Sequence, residues 1–132
     1  MEEGITFTDM KELKVGKYII VDDIACRVVD IETSKPGKHG AAKMRITAMG
    51  IFDGQKKTLL KPSDATVEAP VITKKKGQVV SIEGSNVQIM DLETYDVYTL
   101  PIPEDMTGKL AAGNEIEVLE ALGRRALSRI VN

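Results

Sequence analysis

The side chains that could bind or react with a partner are concentrated in one short basic segment. Residues 33–43 read TSKPGKHGAAK and carry three lysines, Lys35, Lys38 and Lys43, together with His39. Crowding like charges costs stability, and a segment that only joins two strands has no reason to keep that cost. A cationic loop of this kind suits a phosphate-rich partner such as RNA.

The charges around this stretch strengthen that interpretation. Arg45 follows it, and no carboxylate occurs between Glu32 and Asp53. The chain as a whole is slightly acidic, with a net charge of −2 from 18 Lys and Arg against 20 Asp and Glu. Binding to an anionic partner must therefore be local rather than spread over the surface. The alternative is a solvated loop that happens to be basic.

The expected shape of the stretch is a projecting loop. It lies between two runs that are typical of strands, Ile24–Glu32 and Met44–Phe52. A linker of about ten residues exceeds the usual hairpin connection of about 2–5. Pro36 and Gly37 fit the central positions of a type II turn, and Gly40 permits a second reversal. The linker contains no large apolar side chain to anchor it on a core, so we expect it to stand in water.

Two kinds of site with similar residues are excluded. A phosphate-cradling P-loop needs Gly five positions before the Gly-Lys pair and Ser or Thr after it. The residue five positions before Gly37 is Glu32, and the one after Lys38 is His39. One His and one Cys in 132 residues also cannot furnish a zinc site. We therefore expect no metal site and no small-molecule cofactor.

Nucleophilic catalysis is not expected either. Cys26 has no partner Cys and only one distant His, so it is interpreted as a small core residue. His39 lacks a triad partner for a general-base role. A Schiff-base enzyme would need a desolvated Lys38, whereas this lysine should be exposed. The sequence thus favours a binding protein over an enzyme.

Residues 34–43, SKPGKHGAAK, resemble the hypusine loop of the translation initiation factor 5A family of archaea and eukaryotes. In that family the lysine between the Gly and the His-Gly is converted to hypusine or deoxyhypusine, and that residue here is Lys38. The resemblance covers nearly the whole chain, since residues 50–54, GIFDG, and 87–95, VQIMDLETY, also match in order. Pro36 and Ala41 resemble the archaeal version, as does the lack of long terminal extensions.

The resemblance implies a function and partners. Members of the family bind the ribosome at the exit-site side, and their modified lysine points to the acceptor end of the peptidyl-tRNA. They promote peptide-bond formation, relieve stalling and aid termination, and elongation factor P is the bacterial counterpart. The lysine is modified by deoxyhypusine synthase, which takes an aminobutyl group from spermidine. The alternative is a general RNA-binding adaptor with an unmodified loop.

The site residues follow from the basic stretch and this resemblance. Lys38 is the expected modified residue. The residues expected to contact RNA or the ribosome are Lys35, Pro36, Gly37, Lys38, His39, Gly40, Lys43 and Arg45.

Composition limits the class of protein further. Apolar residues make up 42% of the chain but aromatic residues only 4%, so any core must consist of Val, Ile, Leu and Met. One Cys excludes an internal disulfide and fits a reducing compartment. Neither a signal peptide nor a membrane-spanning run is evident. We expect a cytoplasmic monomer.

Short strands with closely spaced turns predict an all-β protein of two small barrels. We expect a barrel over residues 1–70 carrying the 33–43 loop, and a second domain over residues 71–132. In the second, five strands with a short helical turn near residues 104–110 fit an OB-fold. The family resemblance implies the same pair, an SH3-like N-terminal barrel and an OB-like C-terminal barrel.

The second half offers little for RNA binding. It carries Lys and Arg at 7 positions against 9 Asp and Glu, and its aromatic residues are Tyr95 and Tyr98. Stacking on nucleic-acid bases needs exposed aromatic side chains, so this supply is poor. The triplet Lys74–Lys76 beside the expected linker is interpreted as solvated. We expect this half to dock on a mixed protein and RNA surface rather than to bind RNA by itself.

Overall fold

The computed structural model of the chain describes residues 4–35 and 42–132. The chain divides after Val71 into two compact units. Within the described residues the regular structure is β-strand with two single-turn 3-10 helices, which confirms the all-β class. No helix in the described part of the chain is long and apolar enough to cross a membrane.

Among its described residues, 4–35 and 42–71, the first unit contains six strands in two sheets. One sheet has the order β2-β3-β4-β5, and the other pairs β1 with β6. All pairs are antiparallel. The strands are β1 (Ile5–Asp9), β2 (Tyr18–Val21), β3 (Ile24–Ser34), β4 (Lys43–Gly50), β5 (Lys56–Pro62) and β6 (Thr66–Pro70), with a 3-10 turn at Met10–Glu12 after β1.

The strand β3 departs from strict alternation of buried and exposed residues. Val28 is fully buried and Ile31 packs against the same core, although the two residues are an odd number of positions apart. A β-bulge between Val28 and Asp30 shifts the register, so both side chains can face inward. The buried members of this core are Met10, Leu13, Ile19, Val21, Cys26, Val28, Met44, Ile46, Ala48 and Val67.

The second unit is one five-stranded antiparallel sheet in the order β11-β10-β7-β8-β9. Its strands are β7 (Thr73–Glu83), β8 (Asn86–Asp91), β9 (Val97–Pro101), β10 (Glu115–Ala121) and β11 (Arg124–Ile130), with a 3-10 turn at Glu104–Met106 between β9 and β10. The buried members of its core are Val79, Val87, Ile89, Leu100, Met106, Leu110, Ile116, Val118 and Leu127.

The two edge strands of this sheet approach each other. The guanidinium carbon of Arg125 on β11 lies 4.3 Å from the ring centroid of Tyr98 on β9. Since β9 and β11 are the first and last strands in the sheet order, this contact curls the sheet toward closure. Both cores consist of Val, Ile, Leu and Met with small Ala and Cys, as the composition predicted.

Candidate nucleic-acid interface at the base of the basic loop

The structure places part of the predicted loop site. Lys35, Lys43 and Arg45 lie within the described residues, and all three are exposed. The other predicted site residues, Pro36, Gly37, Lys38, His39 and Gly40, lie outside the described residues, and so does the predicted type II turn. The part of the site that the structure describes is therefore the base of the loop, where β3 ends and β4 begins.

The strands at the base run further toward the loop than the sequence predicted. β3 continues to Ser34 rather than ending at Glu32, and β4 begins at Lys43 rather than Met44. The ladder pairs Ser34 with Lys43, so these polar residues extend the hairpin. Polar residues can continue a strand because their backbone groups pair and their side chains remain in water.

In the sequence of β4, Lys43, Arg45 and Thr47 alternate with Met44, Ile46 and Ala48, which predicts a half-buried strand, and the structure confirms this prediction. Met44 and Ile46 are buried in the core of the first unit, whereas Lys43 and Arg45 are exposed on the opposite face. Successive side chains of a strand point to opposite faces, so the two buried residues fix the direction of the two cations. Core packing of Met44 and Ile46 therefore holds the strand in place, with Lys43 and Arg45 on its exposed face.

A neighbouring strand completes this exposed face. Leu60 of β5 lies opposite Arg45 in the ladder, and its side chain is 59% exposed. On the other side Arg45 faces Glu32 of β3. Together these strands form an open groove of about 290 Å³, called here the base groove. It is lined by Glu32, Thr33, Ser34, Lys43, Arg45 and Leu60.

The positive charges of the loop base are not neutralised by the described protein. Among residues 4–35 and 42–132, Lys35, Lys43 and Arg45 take part in no ion pair and no side-chain hydrogen bond. This holds for Arg45 even though Glu32 is its cross-strand neighbour. The groove has two cations against the one carboxylate of Glu32, together with two hydroxyls and one apolar wall. Its charge is therefore positive on balance, and it can bind a phosphate group with a sugar beside it.

The sequence predicted the two cations of this groove but not its other lining residues, Glu32, Thr33, Ser34 and Leu60. Leu60 comes from a third strand, and its place beside Arg45 depends on strand register. The exposed apolar residue on β5 is the available signal, since a strand with one solvated face normally turns its polar residues outward.

Cys26 is a core residue, as predicted. It is fully buried, its thiol donates a hydrogen bond of 3.3 Å to the carbonyl of Ile24, and burial raises the pKa of the thiol. A raised pKa keeps the sulfur protonated and poorly nucleophilic at neutral pH. Within the part of the chain that the structure describes, no cluster of His, Cys, Asp and Glu could hold a metal ion.

The lysine triplet of the second unit differs from its predicted setting. It lies within β7 rather than beside a linker, and Lys75 forms an ion pair of 3.8 Å with Glu120. The strand continues through the triplet because β10 pairs with it, and Glu117 of β10 lies opposite Lys76. A carboxylate facing a lysine across the ladder makes a charged strand acceptable.

Two other cations of the second unit, Arg125 and Arg129, also form ion pairs. Arg125 donates from Nε to Glu120 Oε2 at 2.6 Å, which raises the pKa of the guanidinium, and it stacks on the Tyr98 ring. Arg129 pairs with Glu117 at 3.5 Å. Tyr98 is half-buried, and burial raises the pKa of its phenol. These contacts lie within the second unit and stabilise its barrel.

Comparison with known proteins agrees with this architecture. Residues 6–65 match the family described as translation initiation factor 5A-like, N-terminal. A translation initiation factor 5A from Methanothermobacter thermautotrophicus is 50% identical over 121 residues, which cover 92% of this chain and 93% of that protein. The chain belongs to the translation initiation factor 5A family. Another family member, from Methanococcus maripaludis, is 48% identical over 129 residues, which cover 98% of both chains.

Solved structures of the family share the fold. A structure titled eukaryotic translation initiation factor 5A from Methanococcus jannaschii superposes with a TM-score of 0.87 at 45% identity, covering 99% of this chain and 98% of the other. A translation initiation factor 5A family protein from Naegleria fowleri gives 0.74 at 29% identity, with coverage of 97% and 99%. The predicted pair of an SH3-like barrel and an OB-fold is thereby confirmed. The family places the chain among translation factors.

Proposed function

We propose that this factor binds the ribosome and promotes peptide-bond formation by presenting a modified Lys38 to the acceptor end of the peptidyl-tRNA. The modification is deoxyhypusine or hypusine, made by deoxyhypusine synthase with an aminobutyl group from spermidine. Relief of stalling and help in termination follow from the same action. The factor works in the cytoplasm as a monomer and needs no metal or separate cofactor. Family membership and the loop sequence around Lys38 support this proposal.

The single structural observation that carries the proposal is the set of cations at the loop base that have no ion-pair partner among residues 4–35 and 42–132. Lys43 and Arg45 are fixed by the buried Met44 and Ile46 between and beside them, and they face water. Cations that are already ordered lose little entropy when they meet a phosphate. The base groove would therefore hold the RNA backbone beside the part of the sequence that carries Lys38.

The modification has a clear physical purpose in this arrangement. An aminobutyl group adds five bonds and lengthens the Lys38 side chain by roughly 6 Å. It converts the terminal amine to a secondary amine and adds a new amine beyond it, and both should be mostly protonated. Such an arm can enter an RNA crevice that is too narrow for the folded loop and contact phosphate or sugar oxygens.

The role is that of a positioning factor rather than an enzyme. The ribosome performs the chemistry, and the factor holds the acceptor end of its substrate in a reactive geometry. Restricting the motion of a reactant lowers the barrier without any group of the factor taking part in bond changes. The curated relatives are named as translation factors, which agrees with this role.

The test compares the unmodified factor, the modified factor and Lys38→Arg in ribosomal peptide-bond formation on a message encoding a proline run. Arg keeps the charge but cannot accept the aminobutyl group. We expect stimulation only by the factor that has been treated with deoxyhypusine synthase and spermidine. Equal stimulation by Lys38→Arg would overturn the proposal.

A general RNA-binding adaptor with an unmodified loop is the second candidate. It is favoured by the base groove, whose cations could bind phosphates without any change to Lys38. Under this function Lys38→Arg keeps full activity, whereas charge reversal at Lys43 and Arg45 removes it. The two candidates therefore give opposite results for the same Lys38→Arg variant.

A further inference from the structure

A rigid turn in the second unit displays one aromatic side chain. The turn comprises residues 91–96 between β8 and β9 and is called here the Tyr95 turn. The buried Asp91 carboxylate accepts hydrogen bonds from the N–H groups of Glu93 at 2.7 Å and Thr94 at 3.0 Å. The Tyr95 N–H donates to the Asp91 carbonyl at 2.8 Å, and the Asp91 N–H donates to the Asp96 carbonyl at 2.8 Å.

Tyr95 adopts a strained backbone conformation, and burial of its side chain does not offset that strain. Its φ is +65°, in the left-handed region that favours Gly, and its side chain is 69% exposed. Bulky residues rarely occupy this region because the Cβ atom crowds the carbonyl oxygen. The other non-Gly residues with positive φ in the described chain, Asp22, Asp23 and Leu122, lie in two-residue hairpin turns.

The comparison with Tyr98 makes this clearer. Tyr98 is half-buried and stacks under Arg125, so its ring stabilises the barrel. Tyr95 is strained and exposed, and Val97 beside it is also 51% exposed. A strained residue with no gain in burial suggests a function outside the fold. A rigid exposed aromatic ring is the type of side chain that anchors a protein interface.

The charge around Tyr95 selects the kind of partner. Glu93 and Asp96 are exposed beside it, and residues 91–97 contain no cation. The two N–H donors lower the pKa of Asp91, so this carboxyl is also ionised at neutral pH. The cations whose charges act on Asp91 are Lys75 and Arg125, and both of them pair with Glu120. An acidic rim repels phosphate and attracts a basic protein surface.

We propose that the Tyr95 turn docks the second unit on a basic protein surface that has an apolar pocket for the phenol ring. The choice of the ribosome as the carrier of that surface rests on the proposed function. The ring supplies the buried contact, and Glu93 and Asp96 pair with Lys or Arg around the pocket. The site is separate from the base groove, which lies in the first unit and has the opposite charge.

The test measures two properties of the full-length variant Tyr95→Gly. Gly relieves the backbone strain, so we expect an unchanged or higher thermal midpoint. Affinity for ribosomes purified from Methanothermobacter thermautotrophicus should fall by about tenfold, because the anchoring ring is lost. Tyr95→Phe keeps the ring and should remain within about threefold of the parent. Asp23→Gly, which relieves a similar φ of +64° at an exposed turn, is the matched control and should bind normally.

A lower thermal midpoint of Tyr95→Gly would overturn the proposal, because Tyr95 would then be a structural residue. Unchanged ribosome affinity would also overturn it. Photocrosslinking from benzoylphenylalanine placed at position 95 identifies the partner. A crosslink to a Lys- and Arg-rich protein segment supports the proposal, whereas crosslinks only to ribosomal RNA or to a second copy of the chain overturn it.

These outcomes separate the two proposals. Lys38→Arg with full activity overturns the proposed function and leaves the Tyr95 contact measurable by ribosome affinity. Tyr95→Gly with unchanged affinity overturns the docking proposal even if Lys38→Arg is inactive. Failure of the unaltered factor to bind ribosomes overturns both.

Discussion

The loop base of the first unit and the β7–β10–β11 face of the second unit use the same residue types in opposite ways. Lys43 and Arg45 lie on a strand fixed by the core and have no ion-pair partner among residues 4–35 and 42–132. In the second unit, Lys75 and Arg125 share Glu120. Cations that are paired hold a barrel together, and cations that are left unpaired remain available to a partner.

The same contrast applies to the aromatic residues of the second unit. Tyr98 is covered by a guanidinium, whereas Tyr95 projects from a turn rimmed by carboxylates. The first unit therefore presents positive charge suited to RNA, and the second presents an aromatic ring with negative charge suited to protein. Counting charges over each half does not reveal this difference, because it depends on which charges are already paired.

The largest effect is expected from reversing the unpaired cations. The double variant Lys43→Glu, Arg45→Glu should lose about tenfold in ribosome affinity for each reversed charge at low salt. The dependence of affinity on salt should also become shallower, because fewer counterions are released. The measurement is a binding titration at several salt concentrations.

Lys74→Glu, Lys109→Glu is the matched control, because it reverses two exposed cations of the second unit without placing a carboxylate opposite Glu117 in the ladder. We expect it to leave ribosome affinity nearly unchanged. Equal losses in the two double variants would show that the contrast between the units is wrong.

The next largest effect is expected from removing a carboxylate that stabilises the second unit. Asp91→Ala removes the acceptor for two backbone N–H groups and should destabilise the second unit by about 1–2 kcal/mol at neutral pH. The pKa of Asp91 is lowered in the folded chain below its ordinary value of 3.8. Its contribution is therefore complete above that value and is lost as the pH falls through the lowered pKa.

Urea unfolding at pH 7 and near pH 2 measures this prediction. The difference between the parent and Asp91→Ala should shrink at the lower pH. Asp96→Ala, in the same turn but exposed, should stay within about 0.5 kcal/mol of the parent. A difference for Asp91→Ala that does not change with pH would contradict the assignment.

A smaller effect is expected at the shared acid of the second unit. Glu120→Gln removes the negative charge that Lys75 and Arg125 share and should cost up to about 1 kcal/mol, since all three side chains are partly exposed. It also frees two cations, so the affinity of the chain for single-stranded RNA at low salt should rise slightly. Glu83→Gln at the exposed end of β7 is the control and should change neither property.

The smallest effect is expected when Arg45, at the loop base, is compared with Arg125 of the second unit. Arg45→Ala should change the free energy of unfolding by less than about 0.5 kcal/mol, because the described structure gives this side chain no partner. Arg125→Ala should cost more, since it loses both Glu120 and the Tyr98 ring. Thermal or urea unfolding of both variants is sufficient. A larger cost at Arg45 would mean that its charge serves the fold.

Much of the fold could be predicted from local pattern. The alternation of β4, the strands on either side of the loop and the five strands of the second unit all follow from period-two spacing and turn residues. β1 was missed because its partner is β6, about sixty residues later in the chain, and its Phe7 is exposed rather than buried. The lysine-rich start of β7 was missed because its compensating acids are on β10.

The candidate site shows the same limit. The basic composition of residues 33–43 and the direction of Arg45 could be read from the sequence, since both depend on neighbouring residues. The base groove could not, because Leu60 and Glu32 flank Arg45 only after three strands are in register. The conformation of Tyr95 is set by the Asp91 hydrogen bonds, which composition and periodicity do not reveal.

The central claim is that Lys38 carries an added amine into an RNA crevice. Mass analysis of the peptide containing Lys38, from the factor purified out of its native cells, tests it most directly. We expect this peptide to be heavier by one aminobutyl group, with or without a hydroxyl. An unaltered Lys38 in the cellular protein would contradict it.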